Sequence, residues 1–348
     1  MISPVNLKFS LNSNNLRNTI MQNRMSNPVS FGAIVPDEVL FNNKNKWFTP
    51  DDGGNLPIHH ADLNETKEIH RILENHHKIL AKMHTTQDKD GNLPIHGADL
   101  DKTKEIHRVL ENQSEILAKM HTTKNKNGNL PICYAGLETI KEIHRALETQ
   151  PEILAEIHTT KDKNGYFPIS YKNTDEMKEI HRVLETQPEI LAEIHTMKYR
   201  SGDLRIHATD LDRTKEIHRS IETQPEILAK MHTTRNDIGN LPIHDAKLDK
   251  IKEIHRALET QPKILAEIHT TKNSSDQLPI DYAGFSYNKV PDLDKTKEIL
   301  QVIERLACNT PEISVKDSIK LLDMYIGYDK EFDEKAKAAL EYLKTQSQ

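Results

Sequence analysis

A 37-residue step governs what this chain can fold into. Leu56, Leu93, Leu130, Phe167, Leu204, Leu241 and Leu278 each follow the last by 37 residues, and each opens a block resembling LPIH. Ile69, Ile106, Ile143, Ile180, Ile217 and Ile254 keep the same step inside KEIHR, as do His84, His121, His158, His195, His232 and His269. Three markers in register define about seven tandem units. One unit cannot bury its own apolar face, so units must stack, and stacking makes an all-α helical repeat solenoid. At ~10 Å per helix-to-helix step, seven units would extend roughly 70 Å.

Within the second unit, Asp88 to Asn92 reads as a turn in which Gly91 is free to take a positive φ. Pro94 suits the first turn of a short helix carrying Ile95 and Ala98 inward. Asp101 is placed to cap a middle helix whose Ile106, Val109 and Leu110 form one apolar stripe. Glu105, Arg108 and Glu111, spaced by three on another face, are expected to form weak surface ion pairs. In units three to six, Pro151, Pro188, Pro225 and Pro262 follow a TQ pair. A proline pushes the residue before it out of the α region, so the middle helix should end near Glu148 and a last helix start at Pro151. Units one and two carry His77 and Ser114 there, leaving the two helices free to run on as one.

The array is bounded on both sides. The first 36 residues hold no Asp or Glu and no continuous apolar core of a signal sequence, so residues 1–35 read as a disordered leader. Residues 36–50 supply a partial N-terminal cap through Val39, Leu40 and Trp47. The solenoid spans 51–305, with an insertion at 285–292 in the degraded seventh unit. Residues 306–348, rich in Lys and Glu, form a helical C-terminal cap with a polar outer face.

The block Gly91-Asn92-Leu93-Pro94-Ile95-His96-Gly97-Ala98 resembles the opening of an ankyrin repeat, and KEIHRVLE resembles the second ankyrin helix. Pro, an aliphatic residue, His and the later Ala recur in units one, two and six. The resemblance covers about residues 51–305. It implies a turn-plus-helix-pair solenoid, a protein–protein interaction role, and a concave face lined by opening-turn positions. The period differs from the usual 33 residues, Leu stands before the proline in most units, and the PEILAEIH segment is additional.

The formal net charge of −6, with basic and acidic residues interleaved, argues against a nucleic-acid partner. No apolar run approaches the ~20 residues needed to span a bilayer. Cys133 and Cys308 suggest no disulfide framework, so a cytoplasmic monomer is the default expectation. Phosphate-loop, nucleophile-elbow and kinase signatures are missing, so no catalytic or cofactor-binding residue is assigned.

All nineteen histidines lie in the repeats. Metal binding is the sharper reading, but equivalent histidines one unit apart are too distant to share an ion with Zn–N bonds near 2.0–2.1 Å. Cys133 and Ser170 also replace the LPIH histidine in units three and four. The expectation is therefore structural, with no metal. Leu300 replaces the middle-helix histidine in unit seven, so that position should be partly buried and apolar, which would hold the histidines there neutral.

Comparing units separates scaffold from variable positions. The residue after LPIH changes almost every time: His60, Gly97, Tyr134, Tyr171, Ala208, Asp245. These six are the expected protein-partner face, with Tyr134 and Tyr171 as an anchor because tyrosine is enriched at binding hot spots. The next-but-one position varies too: Asp62, Asp99, Gly136, Asn173, Asp210 and Lys247. A spacer without a discrete site, and a histidine-rich metal binder, are the alternatives.

Overall fold

The computed structural model describes residues 48–284 and 292–346. The expected leader, nearly all of the N-terminal cap and most of the insertion lie outside them. The chain divides into Met1–Thr49 and Pro50–Gln348; everything below concerns the second part.

That part is a helical repeat solenoid, and among the described residues it has no strand, only an isolated bridge between Lys198 and Leu204. Each of the first six units contributes an opening turn, a middle helix and a last helix. The middle helices are α1 (Leu63–Ile72), α3 (Leu100–Leu110), α5 (Leu137–Ala146), α7 (Thr174–Leu184), α9 (Leu211–Ser220) and α11 (Leu248–Ala257). The last helices are α2 (His77–His84), α4 (Ser114–Thr122), α6 (Pro151–Thr159), α8 (Pro188–Thr196), α10 (Pro225–Thr233) and α12 (Pro262–Thr270). Each middle helix packs on the next middle helix, and successive last helices pack likewise from α4 to α12. The array closes with α13 (Leu293–Asn309), α14 (Val315–Tyr325) and α15 (Lys330–Gln346), stacked on one another, with α13 and α14 also packed on α12. Tyr325, fully buried, donates its hydroxyl proton to His269 O at 2.7 Å. Helix α13 runs without a break through residue 305.

Stacking buries the periodic apolar residues. Leu93, Ile95, Ile106, Leu110, Leu117 and Met120 of unit two are all at most 4% exposed. Met83, Met120 and Met231, which alternate with Ile at one register position, are fully buried, as flexible core filler should be.

The opening turn repeats in detail. Asp88 Oδ1 accepts from the N–H groups of Asp90 and Asn92 at 2.8 and 2.7 Å, and Gly91 takes φ +79°. The turns also join one another: Lys126 N–H donates to Asp90 O at 2.8 Å, and Lys163 N–H to Asn127 O at 3.0 Å. Glycine is therefore required twice over at Gly128: its φ is +82°, and a Cβ there would lie 2.8 Å from Lys163 N. Gly165 has φ +85° with open space around it.

Three local expectations need correction. The short opening helix is a single turn: α-helical at Pro57–His60 and Pro131–Tyr134, 3₁₀ at Pro168–Tyr171 and Arg205–His207, and only a hydrogen-bonded turn in units two and six. Too few residues separate its proline from the next cap for a second turn to form. The cap of α3 is Asp99, whose Oδ1 accepts from Lys102 N–H at 2.9 Å, and not Asp101, which lies in the first turn. The variable column Asp62, Asp99, Asn173 and Asp210 is thus a capping column. Finally, middle and last helices are separate in every unit. His76 (φ −113°, ψ 58°) and Gln113 (φ −122°, ψ 62°) turn the chain as Gln150 (φ −127°, ψ 67°) does before Pro151. Packing of both helices imposes the break; proline only accommodates it.

Candidate functional site

The most regular chemistry in the molecule is buried. His107 Nδ1 lies 2.9 Å from Glu142 Oε1, on the middle helix of the following unit. Its Nε2 lies 3.0 Å from Nε2 of His121, on the last helix of its own unit. Arg145 donates two hydrogen bonds to the same Glu142 carboxylate, at 2.9 and 2.7 Å. A carboxylate only accepts, so His107 carries its proton on Nδ1 and its Nε2 must accept from His121. His121 then has a bare Nδ1, which is buried without a partner. The same His–His–Glu–Arg chain recurs from His70, His144 and His218.

Two copies differ. Ser220 Oγ lies 3.3 Å from His195 Nε2, and although the His181 and His195 rings stay 5.0 Å apart, His181 Nε2 has no hydrogen-bond partner. At the end of the array His255 meets Glu298, but Gln301 stands where the arginine would be.

The glutamates were expected on the surface, yet Glu105, Glu142, Glu179, Glu216 and Glu253 are 5–7% exposed. Burial opposes their ionisation, but hydrogen bonds from Arg and His outweigh it and bring Glu179, Glu216 and Glu253 down to about 2. For the middle-helix histidines His70, His107, His144 and His181, burial lowers the pKa and wins over the facing glutamate, as expected. The expectation that their position is apolar is corrected: each is a hydrogen-bonded link between units. The last-helix histidines, which sequence reasoning used as repeat markers without expecting a lowered pKa, are held further down by complete burial and by the neighbouring imidazole. Invariance alone could not have marked these glutamates, because the exposed Lys that precedes each of them (Lys67, Lys104, Lys141, Lys178, Lys215, Lys252) is equally unvarying.

The LPIH histidine forms a second link. His96 Nδ1 accepts from Leu93 N–H at 3.0 Å, so Nε2 carries the proton and donates to Asn129 O of the next turn at 3.3 Å. The three histidines of a unit therefore do not converge, and among the described residues no three His, Cys, Asp or Glu side chains are gathered to hold a metal ion. Cys133 is half-buried, and burial pushes its thiol up, away from the reactive thiolate.

The expected partner positions are at the surface. His60, Gly97, Tyr134, Tyr171, Ala208 and Asp245 are all exposed, Tyr134 and Tyr171 at 54% and 51%. A groove of about 520 Å³ gathers three of them, His60, Gly97 and Tyr134, with Asp88, Asp90, Asn125 and Lys126; Tyr171, Ala208 and Asp245 lie outside it. Polar members of the column are tied to their own turns. Tyr134 Oη accepts from Asn125 and Asn129 Nδ2 at 3.0 and 2.9 Å. Tyr171 donates to Asp162, His60 pairs with Asp51 at 3.0 Å, and Asp245 accepts from Asn240 at 2.7 Å.

Sequence reasoning missed that Tyr171 belongs to an aromatic cluster. Its ring meets Tyr166 edge-on at 6.1 Å, and Tyr166 meets Tyr199 at 5.0 Å. Both partners stand where other units carry small polar turn residues, Asn92 or Asn129 for one and Asp88 or Asn125 for the other, so comparison of units would have found them. No helix among the described residues is long and apolar enough to cross a membrane. Comparison with protein-family models and with curated proteins finds no match to this sequence.

Proposed function

We propose that this chain is an ankyrin-like scaffold that binds a protein partner through the exposed opening-turn face of its solenoid, as a cytoplasmic monomer and without catalysis. The observation that carries the reading is the pair Tyr134 and Tyr171, in adjacent units, with half-exposed rings and hydroxyls anchored to their own turns. An aromatic ring held in place before binding loses little side-chain freedom on association, which favours it as an anchor. The ankyrin likeness is supported by the opening turn, whose histidine accepts from the leucine N–H three residues earlier. The unvarying chemistry of the repeat is spent on holding units together, leaving the variable column as the surface that distinguishes one unit from the next.

The test is affinity purification with mass spectrometry, comparing the native chain with a Tyr134→Ala/Tyr171→Ala variant of unchanged circular dichroism. A set of partners recovered by the native chain and lost by the variant is the expected result. Identical sets would remove this face from consideration and leave a spacer role.

A further inference from the structure

One repeated device links the opening turns to the next unit. Lys102, in the first turn of α3, sends its ammonium back to unit one, donating to Ala61 O at 2.9 Å and Ile58 O at 3.2 Å. Lys250 does the same to unit five, at Ile206 O (2.6 Å), Thr209 O (2.9 Å) and His207 O (3.3 Å). Where unit four has Glu176 at that register position, Lys172 reaches instead and donates to Ala135 O at 2.6 Å and Cys133 O at 3.1 Å of unit three. The carbonyl of Lys172 in turn receives the Arg205 guanidinium at 3.4 Å. Lys295 is buried at the corresponding position of unit seven. The carbonyls ending the opening turn thus form a cation seat, filled by the chain's own basic side chains.

The seat of unit two has no basic residue at this register position. The residue that would fill it is Thr139, too short and uncharged, and among the described residues no basic side chain donates there. A cavity of about 170 Å³ lies at this place, and its walls include Ile95, His96 and Ala98, whose counterparts in other units supply the carbonyls. Asp99, at the register position that Asp62 and Asp210 hold near Lys102 and Lys250, also lines it, and it faces Lys102 as well. Gly97 and Tyr134 stand at the same cavity, both exposed to solvent, so it can be reached from outside. Thr103 Oγ1, buried without a partner, is in its wall; Thr66 is equally unpartnered at the filled first seat, so the argument rests on the carbonyls and on Asp99. Cations in neighbouring seats are compatible, because those of units three, four and five are filled in succession.

We propose that this notch binds a primary ammonium group on a short alkyl chain, the chemistry of a lysine side chain. The volume suits four methylenes and a charged head, and the seat supplies converging carbonyls with one carboxylate nearby. The inference rests on the carbonyls and Asp99 and not on the tyrosine anchor; because Tyr134 also walls the notch, the Thr139 variants, which leave both tyrosines in place, separate the two readings.

The probe is n-butylammonium chloride, titrated into the full chain at constant ionic strength while the amide resonances of Gly97, Ala98 and Tyr134 are followed. n-Butanol and potassium chloride are the controls. Saturable shifts with butylammonium in the millimolar range, at least several-fold larger than with either control, are the expected result. Thr139→Lys should abolish them by placing an internal ammonium in the seat, and Thr139→Leu should abolish them by filling the space. An equal response to butanol would make the notch an apolar cavity, and an equal response to potassium would make it a bare-cation site. Either outcome, or an undiminished response in a folded Thr139→Lys chain, overturns the proposal.

Discussion

At the scale of single residues, two comparisons inside this chain isolate causes that ordinary mutagenesis mixes. Gly128 and Gly165 have nearly the same positive φ, but only Gly128 faces the backbone of the next unit. Gly165→Ala should cost about 1–2 kcal/mol, the penalty of a side chain in the left-handed region. Gly128→Ala should cost distinctly more, because it also forces apart Asn127 and Lys163. Denaturant midpoints of the two variants measure the difference, and equal midpoints would show that the turn-to-turn contact carries no energy. Glu142 and Glu138 form a second pair. Glu138→Gln removes only an exposed bond to Lys141 and should leave the denaturant midpoint nearly unchanged. Glu142→Gln leaves His107 and Arg145 without a carboxylate and should cost about 1.5–3 kcal/mol.

At the scale of elements, the break between middle and last helix shows packing overruling local preference. Gln113 already holds the geometry that Gln150 holds before a proline. Ser114→Pro should therefore be accepted and should stabilise by about 0.4–1 kcal/mol, through the reduced freedom of the unfolded chain. Pro151→Ser should lose a similar amount with no change in helix content by circular dichroism. A large gain of helix in Pro151→Ser, signalling fusion of α5 and α6, would contradict the account.

For the whole molecule, the buried imidazoles make stability depend on pH. The folded-state pKa values of the last-helix histidines His84, His121, His158, His195, His232 and His269 lie well below the ordinary value, because complete burial disfavours the cation. Below the unfolded value of ~6.5 the unfolded chain takes up protons that the folded chain refuses, so stability is intact above that pH and declines beneath it. Each histidine kept neutral contributes a slope of up to ~1.4 kcal/mol per pH unit. A second loss follows below the ordinary carboxylate range, as the unfolded chain protonates groups that Glu179, Glu216 and Glu253 keep ionised down to about 2. Thermal unfolding should shift little between pH 8 and 7 and fall steadily from pH 6.5 to 5. A midpoint constant over that lower interval would mean that the buried histidines take up protons in the folded chain as readily as in the unfolded one.

The repeat, its period, the turn at each glycine, the apolar stripe and the proline-marked helix starts were all legible in residue order, because each follows from local geometry repeated at a fixed step. What residue order could not show was anything made between units. Glu105 reads as a surface charge three residues from Arg108, and becomes a buried link only when His70 of the preceding unit is brought against it. Thr139 is unremarkable until stacking places it over carbonyls that elsewhere hold a lysine. Periodicity alone determined that units must cover one another, since none can hide its own apolar side. Which polar groups meet across each seam, and which seat stays empty, was decided by the stacked structure, because those partners lie about one repeat or more apart in the chain and only a few ångströms apart in space.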